Sequence, residues 1–133
     1  MSYILNIESS STNCSVSLSK NGQLISVMEK NDEKYSHSTK LHSYINEVIS
    51  DSSITLKELS AIAVSKGPGS YTGLRIGVAA AKGLCFSLDI PLISVSTLLV
   101  LSKQIKINSG LIIPVLDARR NEVYSAIYNV NYN

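Results

Sequence analysis

Between Cys14 and Lys20 the chain alternates strictly: Cys14, Val16 and Leu18 fall on one side, Ser15, Ser17 and Ser19 on the other. A period of two is that of a strand with one buried face. The apolar run YILNIES (3–9) before it and QLISVMEK (23–30) after it also read as strands. Asn21-Gly22 separates the last two and suits a type I′ hairpin, because both residues tolerate positive φ. The chain is therefore predicted to open as an antiparallel meander of three strands.

The period then changes. The polar run NDEKYSHS (31–38) reads as a loop, and after it Leu41, Tyr44, Ile45, Val48 and Ile49 share one face of a helix over about 39–50. Thr55 to Glu58 has capping-box spacing and predicts a single helical turn. SAIAVS (60–65) is a buried strand, and Leu74, Val78, Ala81, Cys85 and Leu88 form the stripe of a second helix over about 71–88, ending near Asp89 and Pro91. PLISVS is a further strand and TLLVLSKQI a further helix.

Three meandering strands followed by helix, strand, helix, strand, helix is the order of a ribonuclease-H-like α/β domain with a mixed sheet. The later strands must run parallel, since each is reached through a helix. That domain is expected to span residues 1–107. Residues 108–133 look like a second beginning, for LIIPVLDARRNEVYSAIYNV (111–130) repeats the strand, acidic turn, strand layout of YILNIESSSTNCSVSLSKN (3–21). At an offset of 109, Glu8 meets Asp117, Cys14 meets Val123 and Leu18 meets Ile127. The expectation is a duplicated fold whose second copy is cut short at Asn133.

Composition narrows the function classes. Hydrophobic residues make up 44% and charged ones 17%, which supports a packed core rather than disorder. A formal charge of +2 with scattered lysines does not argue for nucleic-acid binding. The seven tyrosines are spread out and form no stacking platform for single-stranded RNA, so direct RNA binding is not expected. Cys14 and Cys85, each inside an apolar pattern, read as buried thiols rather than a disulfide. The N-terminus lacks the features of a signal peptide and no window is long enough for a membrane span, so a soluble cytoplasmic protein is expected.

The densest motif is KGPGSYTGLRIG, Lys66 to Gly77. It is not a Walker A loop, and its glycines are spaced GxGxxxG, one residue too long for a dinucleotide fingerprint. It lies between a buried strand and a helix, where N–H groups can hold an anion, and Ser70 is a candidate N-cap. The competing reading is a tight turn followed by close packing, since Gly73, Gly77 and Ala81 recur every four residues and flatten one side of the helix. Glycine inside a helix costs up to ~1 kcal/mol against alanine, which close packing offsets. Packing is the preferred reading.

This motif, with ILNIESSSTNCSVSLSKNG at the start and VLDARRNEVYSAIY near the end, resembles the TsaB (YeaZ) family over nearly the whole chain. The resemblance implies a duplicated actin/Hsp70-like fold. It implies a non-catalytic part in making threonylcarbamoyladenosine in tRNA, as partner of the catalytic subunit TsaD, with the ATPase TsaE joining them. The family usually carries aspartate where Glu8 stands, and the catalytic relatives hold a metal with histidines where this chain reads ISVSTLLVLS. No cofactor is expected on the chain alone, with ATP or ADP at the interface of the complex. The rival expectation is an enzyme in its own right, a nucleotide-dependent carbamoyltransferase or a metallopeptidase-like protein of the same superfamily.

The remaining candidates are weaker. His37 and His42 would sit ~140° apart on a helix, not as an i, i+4 metal pair. Glu8 with Ser9, Ser10, Ser11 and Thr12 could cradle phosphate, with Gly67, Gly69 and Asp117, the last beside Arg119 and Arg120, as further weak contacts; polar turns explain the same residues. A Ser/His/Asp system can be named from Ser9 to Ser11, the histidines and Asp117, but no spacing selects it. Both long helices join the strand Ala61–Ser65 and should be neighbours. Gly73, Gly77 and Ala80 are then expected to expose a smooth strip beside His42, Tyr44 and Arg75. Through it the resemblance implies docking of a TsaD-like subunit or, in its absence, of a second copy.

Overall fold

The computed structural model describes residues 1–31 and 37–133, without the side chain of His37. Three strands open the chain: β1 (Tyr3–Glu8), β2 (Asn13–Lys20) and β3 (Gln23–Asn31). Then come α1 (His37–Asp51), a 3₁₀ turn (Leu56–Glu58), β4 (Leu59–Ser65), α2 (Tyr71–Leu88), β5 (Leu92–Val95) and α3 (Thr97–Ser102). A last pair, β6 (Val115–Arg119) and β7 (Glu122–Ser125), follows. The loop expected at 31–38 falls largely outside the described residues, but Asn31 still belongs to β3 and α1 already begins at His37.

Five strands form one sheet in the order β3-β2-β1-β4-β5. The meander pairs antiparallel, with Leu5 opposite Leu18 and Ile7 opposite Val16. β4 then joins the free edge of β1 in parallel, Ile7 beside Val64, and β5 joins β4 the same way. The hairpin turn has φ of 49° at Asn21 and 80° at Gly22, the double positive that selected this dipeptide. A mixed sheet of this order is a ribonuclease-H-like, actin-type domain.

The alternation in β2 fixes which face is buried. Cys14, Val16 and Leu18 pack with Leu5, Ile7, Ile62 and Val64 against Leu41, Ile45 and Val48 of α1 and Ala81 and Cys85 of α2. Each large aliphatic side chain buried in this way contributes about 1.5–3 kcal/mol. The 3₁₀ turn is closed by the Thr55 N–H, which donates to the Glu58 carboxylate at 2.7 Å. Asp89, in the left-handed conformation at φ 54°, ends α2.

One expectation is overturned. Gly73 and Gly77 do not form an exposed strip; with Ala81 and Cys85 they are the buried side of α2. A Cβ on Gly77 would land on Ser9 Oγ and lie 3.4 Å from Ile7 Cγ2. The close approach that these glycines permit is therefore helix on strand, not helix on helix. Ala80 and Tyr44 are half-buried against the same core, and only His42 and Arg75 of the expected strip are exposed.

β6 and β7 pair with each other as a separate two-stranded sheet, Leu116 opposite Tyr124. Arg119, Arg120 and Asn121 turn its tip at positive φ. An isolated bridge between Ile112 and Tyr128 extends the ladder. Ile113, Val115, Val123 and Ile127 are each more than half exposed.

Candidate functional site

The parallel register of β1 and β4 brings residues far apart in sequence to the carboxyl ends of these strands, where open α/β sheets place their sites. There Glu8 meets Ser65: the Ser65 hydroxyl donates to Glu8 Oε2. Glu8 Oε1 accepts from the Ser10 N–H at 2.9 Å and from the Ser10 hydroxyl. The Ser10 carbonyl in turn accepts the Ser70 N–H at 2.7 Å, so the glycine loop is bonded directly to the first turn. Ser9 points the other way; its buried hydroxyl donates to the Gly73 carbonyl at 2.7 Å.

The glycine loop is built for this contact. A Cβ on Gly69 would strike the Ser10 carbonyl oxygen, so only glycine lets the two backbones meet. Gly67, at φ 107°, accepts the Thr97 N–H at 3.0 Å and so ties the loop to α3. Ser70 caps α2, its hydroxyl accepting from the Gly73 N–H at 3.2 Å, as its N-cap position predicts. The motif makes a turn and packs closely, but against the first turn and β1 rather than against a second helix.

A cleft of about 810 Å³ opens between this assembly and the second hairpin. Glu8, Ser10, Ser11, Gly69 and Asp117, five of the eight residues named for phosphate contact, line it together with Thr72, Thr97 and Arg119. Ser9 and Gly67 do not line it. Asp117 Oδ1 accepts the Arg119 N–H at 2.8 Å, which orders the hairpin's tip. Ser65 and Thr97 carried no signal in the sequence, because only strand pairing and the loop-to-α3 bond bring them here.

Thr97 is buried and its hydroxyl has no hydrogen-bond partner. Such a group carries a desolvation cost of about 1–3 kcal/mol. Thr97→Val, nearly equal in shape, is expected to raise the melting midpoint by a few degrees in a thermal unfolding scan; an unchanged or lower midpoint would show that the hydroxyl is satisfied in solution.

The other chemistry-bearing groups stand apart from the cleft. His42 is exposed on α1. Among the described residues no three histidine, cysteine or carboxylate groups cluster as metal ligands. Burial pushes the thiols of Cys14 and Cys85 above the ordinary 9.0, so both are protonated at neutral pH and neither is an activated nucleophile. No described helix is long and apolar enough to cross a membrane.

The outward side of α2 is the second unusual surface. Tyr71, Arg75, Ala79, Lys82, Gly83 and Phe86 are exposed along it, and Phe86, the chain's one phenylalanine, is 89% exposed. Arg75 lies over the Tyr71 ring, 5.4 Å from its centroid. A Cβ on Gly83 would meet nothing within 4 Å, so this mid-helix glycine has no packing role among the described residues. Neither Gly83 nor Phe86 stood out in the sequence, because Phe86 reads there as one more apolar residue of a helix.

Comparison with known proteins bears on the same residues. The model of a family described as TsaD, tRNA N6-adenosine threonylcarbamoyltransferase, matches residues 31–132. The tRNA threonylcarbamoyladenosine biosynthesis protein TsaB of Buchnera aphidicola (Acyrthosiphon pisum) is 39% identical over 98% of this chain and 59% of its own length. YeaZ from Pseudomonas aeruginosa superposes with a TM-score of 0.87 at 29% identity, covering 97% of this chain and 60% of that one. Thermus thermophilus RuvC, solved with a Holliday junction, superposes with a TM-score of 0.51 over 75% of this chain and 68% of its own at 12% identity, a likeness of fold alone. The chain spans about three-fifths of the length of these TsaB and YeaZ relatives. A family-model match over residues 31–132, a TsaB relative 39% identical over 98% of this chain and a YeaZ superposition over 97% of it place the chain in the TsaD-type family, on its TsaB/YeaZ branch.

Proposed function

We propose that this chain is a non-catalytic scaffold and activator in threonylcarbamoyladenosine synthesis, docking a TsaD-like catalytic subunit through the outer side of α1 and α2. The observation that carries the reading is Gly83: a helix-interior glycine costs about 1 kcal/mol, and no contact among the described residues offsets it. A second helix lying close against the Ala79–Gly83 segment, with Phe86 as its apolar anchor, supplies the missing reason. His42 on α1 and Arg75 on α2 form the polar border, and half-buried Tyr44 and Ala80 lie beneath it. This assignment replaces Gly73 and Gly77 with Ala79 and Gly83 as the small-residue contact, with Phe86 as the anchor beside them.

On this reading the chain works in the cytoplasm, forms a homodimer through the same face when alone, and reaches tRNA only through its partners. A TsaE-like ATPase joins the complex, and ATP or ADP binds at the assembled interface, not to the isolated chain. The test is reconstitution: the chain, a TsaD-like subunit, a TsaE-like ATPase, ATP, a threonylcarbamoyl donor and unmodified tRNA, with each omitted in turn. Threonylcarbamoyladenosine, measured by nucleoside chromatography, should require the chain and the TsaD-like subunit together. Product formed without the TsaD-like subunit would replace the scaffold reading with that of an independent enzyme.

A further inference from the structure

The turn after β1 has the form of an anion site, and its anion is already in place. The Ser10 N–H, the Ser10 hydroxyl and the Ser65 hydroxyl converge on one carboxylate, that of Glu8, which they hold by both oxygens. We propose that this is an oxyanion nest occupied by the chain's own Glu8, closed against external phosphate or carboxylate in the wild type and opened to a small carboxylate when Glu8 is shortened. The inference does not rest on the docking reading, since it concerns the opposite end of α2 and a different set of residues.

Three features support it. All three donors point at an acceptor that carries a full charge, the arrangement that holds a free anion in a phosphate loop. The neighbouring N–H groups are withdrawn from competition: Ser70 N–H is bonded to the Ser10 carbonyl and Gly73 N–H to the Ser70 hydroxyl. The two serines come from β4 and from the turn after β1, so the carboxylate joins two strands as an external anion would. Anything negative entering the cleft at this turn would face a carboxylate rather than open donors, and would have to displace it.

Chemical rescue tests the idea. Glu8→Ala empties the nest without adding bulk, and formate matches the missing carboxylate. The thermal midpoint of Glu8→Ala should rise by about 4 °C in formate at ten times its dissociation constant, against chloride of equal ionic strength. The wild type, its nest filled, should gain no more from formate than from chloride. Glu8→Gln, which fills the space but replaces an acceptor by an NH2 group facing hydroxyl donors, should melt below the wild type and ignore formate. A Glu8→Ala protein that responds to formate no more than the wild type does, or a Glu8→Gln protein that melts with the wild type, overturns the proposal. If Glu8→Ala folds only when formate is present, the proposal stands; if formate cannot recover it, the proposal fails.

Discussion

Replacing Gly77 by leucine is expected to break the fold rather than trim its surface. The new side chain would start on the Ser9 hydroxyl and grow toward Ile7, inside the core where α2 meets β1. Helix and strand must then separate, which removes the 2.7 Å bond from Ser9 to the Gly73 carbonyl and opens the contacts of Ala81 and Cys85 behind it. Overpacking of this kind costs about 3 kcal/mol or more. For a chain of this size that lowers the melting midpoint by about 10 °C or more. Circular dichroism during heating measures it. A Gly77→Leu protein melting with the wild type would mean that α2 does not lie on the sheet as described.

Gly83→Leu should do the opposite. Its side chain enters open space and leucine favours a helix more than glycine does, so stability should hold or rise by about 0.8 kcal/mol. Association should suffer instead, because the leucine would hold a docked helix away from Ala79 and from its own backbone. Phe86→Asp approaches the same surface from the apolar side, removing an anchor and placing a charge where the partner would be desolvated. Each change is expected to weaken binding to a TsaD-like subunit, and self-association, by about 100-fold, corresponding to about 2.7 kcal/mol. Sedimentation velocity of each variant, alone and with the partner, gives the answer. Two folded variants that associate like the wild type would move the docking surface off α2.

The contrast between these glycines shows what a sequence conveys. Strands were legible because their side chains carry the signal: Cys14, Val16 and Leu18 alternate with serines, and all three are buried. The boundaries of α2 were equally plain, through Ser70 at its start and Asp89 at its end. Its orientation was not. Leu74, Val78 and Leu88 pulled the inferred inward face toward themselves, yet they are only half-buried, whereas Gly73 and Gly77 are fully buried. A face made by the absence of side chains adds nothing to a hydrophobic pattern, so periodicity cannot see it.

The site obeys a similar limit. Glu8 and Ser10 were visible as a polar turn, but Ser65 lies at the end of a buried strand and gains meaning only through the parallel register that sets Ile7 beside Val64. Ser9 looked like one more turn hydroxyl. Its neighbour in space, the Gly73 carbonyl, is main chain, which any sequence would supply. Chemistry that depends on long-range pairing or on backbone acceptors becomes legible only after the fold is known.

The sheet order β3-β2-β1-β4-β5 also sets a timetable for the growing chain. The meander can close as soon as Asn31 has been made, since its contacts are local and hairpins form within microseconds. β1 then has one satisfied edge and one bare edge, and the strand that covers the bare one is made only after α1 and the 3₁₀ turn. Parallel pairing across such a gap is the slow step in folds of this kind. Until it happens, the central strand of the finished sheet is its most vulnerable edge, open to pairing with another unfinished chain. The Ser65 hydroxyl, on the last residue of β4, reaches Glu8 only when that edge is sealed, so this bond marks the moment at which the central strand of a nascent chain is covered.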